Sequence, residues 1–119
     1  MKYDLEERLI KFACATLQIV EALPKRDPCQ HLGNQLARSG TAPALNYGEA
    51  QGAESRADFV HKMKVGLKEL RETSICLRII DLQNYVHPND KVHAAIRENT
   101  ELISIFVASV KTATSRKHS

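Results

Sequence analysis

Two pairs of carboxylate and imidazole side chains have a spacing that could bind a metal ion. Asp58 and His61 are three residues apart, and so are Asp90 and His93. In four-helix proteins with di-iron sites the corresponding motif is Glu-x-x-His on facing helices, and the sequence contains no Glu-x-x-His. Each Asp falls at the start of a predicted helix, where the helix dipole favours a carboxylate. We therefore interpret both pairs as first-turn residues and predict neither a metal nor another cofactor.

Cysteine is the other residue type here that could carry chemistry. Cys14, Cys29 and Cys76 are widely spaced and odd in number, which argues against a disulfide framework or a structural zinc site. Cys14 and Cys76 lie within predicted helices, where we expect small, buried or half-buried side chains. Cys29 lies in a first turn, but His31 two residues later would not face it. We predict no catalytic residue, and hence that the protein is not an enzyme.

The third predicted helix carries four basic residues on one side. We call this set the basic ridge, and it consists of Lys64, Lys68, Arg71 and Arg78. At about 100° per residue these four fall within about 80° of one another, whereas Asp58, Glu69 and Glu72 occupy another sector. Such a ridge can serve solubility, contact phosphates, or pair with acidic residues of a neighbouring subunit. Lys62 and Lys111 are weaker candidates for the same contacts, and the net charge of +3 permits a polyanionic partner without requiring one.

The stretch 35–52 is a poor helix by composition, because it contains three glycines and Pro43. Its polar residues Arg38, Asn46 and Glu49 stand among small side chains. We predict that these three form a structural polar network that sets the register inside the protein or at a subunit seam. The small residues should let a neighbouring helix approach closely, at Gly40, Ala44, Gly48 and Gly52.

Apolar periodicity predicts four helices, at about 4–23, 28–53, 55–84 and 91–113. In the first, one apolar face repeats at spacings of four and three, through Leu5, Leu9, Phe12, Thr16, Ile19 and Leu23. The second helix either passes through Pro43 or ends at Ser39-Gly40, which would leave a short helix over 44–52. Short connections between four long helices predict an all-α, antiparallel up-down bundle that forms a single domain over 1–119.

The sequence shows no targeting or membrane segment. Its first residues lack the apolar run of a signal peptide, and no stretch approaches the length of a membrane-spanning helix. Reduced thiols and the absence of such segments indicate a cytoplasmic protein.

One long motif resembles a known family. It reads Gln35-Leu36-x-Arg38-Ser39-x₃-Pro43-Ala44-x-Asn46-x-Gly48-Glu49-Ala50-x-Gly52, followed by Ser55-x₂-Asp58-Phe59 and Lys68-Glu69-Leu70-x-Glu72-Thr73. These residues resemble the four-helix bundle family of 23S rRNA intervening-sequence proteins, which is related to the accessory variability protein of diversity-generating retroelements. The likeness covers nearly the whole chain and includes the opening Asp4-Leu5-x₂-Arg8-x₃-Phe12-Ala13.

The resemblance implies a bundle that assembles as a ring-shaped homopentamer and has no catalytic residues. In the retroelement branch, the ring has a basic surface that binds nucleic acid and a reverse transcriptase. We therefore expect a non-enzymatic homo-oligomer that binds RNA or DNA, RNA in particular, through the basic ridge. The alternative is a protein-interaction scaffold, such as a reverse-transcriptase accessory subunit, whose charges serve subunit or partner pairing.

Overall fold

The computed structural model describes residues 4–115, and every regular element in that range is an α-helix. The helices are α1 (Leu5–Ala22), α2 (Asp27–Gln51), α3 (Arg56–Leu82) and α4 (Asp90–Ser115). Each observed end differs by one or two residues from the end that apolar periodicity predicts. The all-α, four-helix class is thereby confirmed.

Helix α2 is continuous from Asp27 to Gln51, with Pro43 inside it. The alternative of a break at Ser39-Gly40 is therefore wrong. Proline in a helix interior removes one backbone hydrogen bond and costs roughly 3 kcal/mol. Burial of Pro43 and of Ser39 and Gly40 in the helix interface supplies packing that offsets this penalty.

Consecutive helices are antiparallel, as their side-chain contacts show. Arg38 of α2 pairs with Glu72 of α3, whereas Glu49, further along α2, pairs with Lys62, which lies earlier in α3. The same reversal relates α1 to α2 and α3 to α4. The chain therefore forms an up-down bundle, with overall dimensions of 52 × 29 × 20 Å.

Each helix contributes one buried polar residue to an otherwise apolar core. These residues are Thr16, Ser39, Thr73 and Asn99, each at most 1% exposed. The Thr73 hydroxyl lies 2.9 Å from Ser39 Oγ, which joins α3 to α2. The Asn99 amide donates to the backbone oxygen of Leu70 at 3.0 Å, which joins α4 to α3. Polar contacts in a low-dielectric core favour one register over its alternatives, because a shifted register would leave these groups unpaired.

Helix α3 ends in a Schellman motif. Asn84 adopts a φ of 58°, in the left-handed region that Asn tolerates better than most residues. The Tyr85 amide then donates to the Ile80 oxygen at 3.2 Å, and the Asn84 amide donates to the Asp81 oxygen at 3.0 Å. These two bonds satisfy the last carbonyl groups, so α3 ends at Leu82 rather than near Asn84.

Gly40 and Gly66 lie where two helices approach closely, and Gly48 does not. A Cβ atom at position 40 would lie 2.7 Å from the Cβ of Thr16, and one at position 66 would lie 2.7 Å from Cε2 of Phe106. A Cβ at position 48 would meet no atom within 4 Å. The expected close approach therefore occurs at Gly40 and not at Gly48, and Gly66 adds a second close approach that composition alone did not single out.

The different surroundings of Gly40 and Gly48 predict opposite effects of a Gly→Ala substitution on the free energy of unfolding. Gly40→Ala should lower the free energy of unfolding by ~1–3 kcal/mol, because the new methyl group overlaps Thr16 in a packed core. Gly48→Ala should raise it by up to ~1 kcal/mol, because alanine is the better helix former and the position is open. Urea unfolding followed by circular dichroism measures both changes. A Gly40→Ala variant as stable as the unmodified protein would show that α1 and α2 are further apart than the structure has them.

Candidate nucleic-acid interface

The basic ridge lies on the outward side of α3. All four of its side chains are exposed, while Met63, Leu70 and Leu77 on the opposite side of the helix are fully buried. Burial of this apolar stripe fixes the orientation of α3, and the basic ridge therefore faces away from the bundle. Among residues 4–115, none of the four ridge cations forms an ion pair.

Three acidic residues of α3 turn towards neighbouring helices instead of lying beside the ridge. Glu69 and Glu72 accept hydrogen bonds from Arg38 at 2.8 and 2.6 Å. Asp81 lies 2.8 Å from Nε2 of His93 on α4. These three carboxylates thus pair with residues of α2 and α4. The charged residues that remain on the outward side of α3 are all basic.

Lys62 and Lys111 do not belong to the ridge. Lys62 pairs with Glu49 of α2 at 3.1 Å and is partly covered there, so it faces α2 rather than the outward side. Lys111 is exposed on α4. The structure therefore brings four of the six proposed contact residues together on one side of α3, and it places Lys62 against α2 and Lys111 on α4.

The predicted polar network of Arg38, Asn46 and Glu49 does not form as a single cluster. Arg38 donates hydrogen bonds across to Glu69 and Glu72, and the pKa of its guanidinium is raised, first by the hydrogen bond that it donates to Glu72. Its side chain is 52% exposed, so this pairing lies at the surface rather than inside the bundle. Glu49 is exposed and pairs with Lys62.

All three residues of this set nevertheless belong to the α2–α3 contact. The Cβ of Asn46 lies close to the backbone of Gly66, at the level where α3 also meets α4. Exposed ion pairs each contribute only ~0–1 kcal/mol. Arg38 and Glu49 thus help to set the register of α2 on α3 from the surface, while the buried Ser39–Thr73 contact does so from inside.

Apolar side chains also lie on the outward side of α3, both between the basic residues and after the last of them. Ile75 is 53% exposed, Ile79 40% and Leu82 85%. Sequence reasoning missed them, although Ile75 and Leu82 follow the same three-four spacing as the ridge. On α1, Ile10 and Leu17 are exposed one above the other. Contiguous exposed apolar patches mark contacts with other protein chains, whereas single exposed aliphatic residues are ordinary.

The cysteines lie in environments different from those expected. Cys14 is exposed, Cys76 is half-buried, and Cys29 in the first turn of α2 is fully buried. The expectation of a buried or half-buried Cys14 is therefore wrong. Burial, and then the nearby carboxylate of Glu72, raise the pKa of the Cys76 thiol. The buried Cys29 acts as a small apolar side chain of the core.

These environments predict an order of alkylation. With iodoacetamide at neutral pH, Cys14 should react first, because its sulfur is accessible to the reagent. Cys76 should react more slowly, because its raised pKa leaves less thiolate, and Cys29 should react only when the bundle opens. Peptide mass spectrometry after timed quenching measures the three rates. Reaction of Cys29 as fast as Cys14 in the folded protein would contradict the packing at the start of α2.

No group of three or more His, Cys, Asp or Glu residues within 4–115 could hold a metal ion. Asp58 lies in the first turn of α3, where its amide donates to the Ser55 side chain at 3.0 Å. Asp90 begins α4, and His93 pairs with Asp81 rather than with Asp90. Over the same range, no helix combines the length and the apolar character needed to cross a bilayer.

The comparisons with known proteins agree with the fold. Residues 2–108 match the model of the family described as 23S rRNA-intervening sequence protein. A solved structure with 26% identity and a TM-score of 0.82 is a protein of unknown function of the S23 ribosomal protein family from Bacteroides thetaiotaomicron. The match covers 91% of this chain and 99% of that one. No curated protein matches.

Neither of these descriptions names a catalytic activity. The family match spans all four helices except the last residues of α4, and it includes the motif at 35–52. The chain therefore belongs to the family of 23S rRNA-intervening sequence proteins.

Proposed function

We propose that this protein is a non-enzymatic, homo-oligomeric helical bundle of the cytoplasm that binds nucleic acid, RNA in particular, through the basic ridge. The observation that carries the proposal is the one-sided charge of α3. Four exposed cations that form no ion pair with any residue in the range 4–115 share its outward side, and Glu69, Glu72 and Asp81 are turned away from it.

The ridge has the dimensions of a phosphate-binding surface. Lys64 and Arg78 are separated by 14 residues, or about 21 Å along the helix. Several consecutive phosphates of one strand fit along this length. Cations that neutralise phosphates release condensed counterions, so the affinity would depend strongly on salt and only weakly on sequence. The choice of RNA rests on the name of the family, which refers to an intervening sequence of 23S rRNA.

Assembly into a homo-oligomer, for which the resemblance suggests a pentamer, is part of the proposal. The exposed aliphatic residues of α1 supply a reason for it, because Ile10 and Leu17 lie on a different helix from the ridge and would be covered by a neighbouring subunit. Burying exposed aliphatic area contributes about 25 cal/mol per Å².

The alternative of a scaffold whose basic ridge pairs with Glu69 and Glu72 of a neighbour is less well supported. Those two carboxylates already accept hydrogen bonds from Arg38 of the same chain. Pairing between subunits would have to displace this Arg38 contact. A scaffold for another protein, such as a reverse transcriptase, would instead use the exposed aliphatic residues.

Two measurements on one variant test the proposal. RNA affinity as a function of salt is measured for the unmodified protein and for a variant with all four ridge residues changed to Glu, and light scattering gives the mass of each. We expect weaker RNA binding by the variant with an unchanged oligomer. Equal RNA binding by the two proteins would overturn the ridge as the contact surface. Loss of the oligomer would favour the scaffold.

A further inference from the structure

A groove lies at the end of the bundle where α3 begins and α4 ends. It has a volume of about 390 Å³ and is lined by Arg56, Ala57, Val60, His61, Lys64, Ala113 and Thr114. None of the residues that line it is a carboxylate. Lys64 is also the first residue of the basic ridge, so the groove and the ridge form one continuous surface.

Three of the lining side chains can carry positive charge. Arg56, His61 and Lys64 are all exposed, and none of them forms an ion pair with the described residues. The acidic residues nearest to them in sequence are Glu54, which is exposed, and Asp58, which is half-buried, and neither is part of the lining. An anion in the groove would therefore meet cations without a competing carboxylate.

The other residues that line the groove are mostly apolar and have short side chains. Ala57, Val60 and Ala113 have short side chains, which leave a surface with few polar atoms between the cations. Thr114 adds one hydroxyl group at the edge. A base has two apolar faces and a polar edge, and its phosphate is an anion, so one nucleotide complements both parts of this lining. A base inside a duplex could not lie on this apolar lining, because both of its faces are stacked on the neighbouring base pairs.

We infer that this groove binds one unpaired nucleotide of an RNA strand that follows the basic ridge. The phosphate lies between Arg56 and Lys64, and the base lies on Val60 and Ala113. This inference rests on the proposed RNA binding by the ridge and adds a preference for single-stranded over fully paired RNA.

A titration with small anions tests the groove without relying on RNA binding along the ridge. Adenosine monophosphate and inorganic phosphate are each added to the ¹⁵N-labelled protein, and the backbone amide shifts are followed by NMR. We expect saturable shifts at Ala57, Val60 and Ala113 with the nucleotide, and weaker binding of phosphate alone. Absence of these shifts, or equal affinities for the two anions, would overturn the inference.

Variants that fill the groove test the preference for single strands. Ala113→Leu and Ala57→Leu each place a branched aliphatic side chain over the groove without changing charge and without adding a ring on which a base could stack. Testing two positions guards against a folding defect in one variant. The matched control is Ser104→Leu, at an exposed position of α4 that does not line the groove. Each groove variant should weaken binding of a single-stranded oligonucleotide about fivefold, the effect of ~1 kcal/mol. Binding of a duplex of the same length should stay unchanged.

The outcomes separate this inference from the proposed function. If filling the groove leaves the ratio of single-strand to duplex affinity unchanged while charge reversal on the ridge weakens both, the groove inference is wrong and the ridge proposal stands. If charge reversal has no effect, the ridge proposal fails, and the nucleotide titration still decides whether the groove binds a nucleotide.

Discussion

Charge reversal at Lys64, Lys68, Arg71 and Arg78 is expected to lower the affinity for single-stranded RNA about a hundredfold at low salt. Each phosphate contact on a single strand contributes about 0.7 to the slope of log affinity against log salt, so four lost contacts should flatten that slope by about three. Fluorescence anisotropy of a labelled oligonucleotide at four or five salt concentrations measures both quantities. The flattened slope is the more diagnostic result, because a folding defect would lower affinity without changing the slope in this way.

A matched variant distinguishes the ridge from the overall charge of the protein. Four exposed basic residues elsewhere can be changed to Glu, with the same change in net charge: Lys11, Lys25, Lys91 and Arg97. They lie on α1, on the loop before α2 and on α4. We expect this control to bind several times less tightly at low salt and to keep most of the slope. A control as defective as the ridge variant would mean that net charge, and not the ridge, attracts the RNA.

The fold class could be predicted because the apolar pattern of each helix is local. All six residues of the predicted α1 stripe, from Leu5 to Leu23, are buried in the structure. A helix has a fixed angular period, so residues that share a face can be identified without knowing what covers that face. The same reasoning placed the basic ridge correctly on one side of α3.

The pairing of charges between helices could not be predicted in this way. Arg38 was expected to form a polar network between helices together with Asn46 and Glu49, and its carboxylate partners are instead Glu69 and Glu72 of α3. Which residues of α3 lie opposite Arg38 depends on the axial register and rotation of one helix against the other. The residue spacing within one helix determines neither this register nor this rotation.

The local sequence also does not predict which residues are buried at helix ends or where two helices approach closely. Gly66 lies against Phe106 because α3 and α4 approach each other there, and nothing in its local sequence distinguishes it from an exposed glycine. Cys29 is buried although it lies in a first turn, where side chains are commonly exposed. The groove beside Lys64 likewise exists only because the end of α4 lies next to the beginning of α3.

Asn99→Asp is expected to lower the free energy of unfolding by ~3–5 kcal/mol at pH 7. Asn99 is 1% exposed, its amide donates to the Leu70 oxygen, and its own Oδ1 has no hydrogen-bond partner among the described residues. A carboxylate at this position would lose the donor and place a negative charge in the core without a counter-charge. Urea unfolding followed by circular dichroism measures the loss.

Asn99→Leu is the matched variant, and it should be close to the unmodified protein in stability or above it. It removes the amide donor and the unpaired oxygen together and replaces them with the methyl groups of an equally branched, somewhat larger side chain. Losing a hydrogen bond costs most where it leaves a buried group without any partner. Because the Leu70 carbonyl lies in the middle of α3, it keeps its backbone hydrogen bond within the helix.

The pH dependence of the Asn99→Asp variant separates charge from shape. Burial raises the pKa of a carboxyl group in the folded state, whereas the unfolded chain ionises near the ordinary value of about 3.9. The penalty is therefore absent below about pH 4, grows as the pH rises, and stops growing once the pH passes the raised pKa of the folded protein. Referring each measurement to Asn99→Leu at the same pH cancels the titration of the other groups. A stability deficit that stays constant from pH 4 to pH 7 would mean that the lost hydrogen bond, and not buried charge, destabilises the variant.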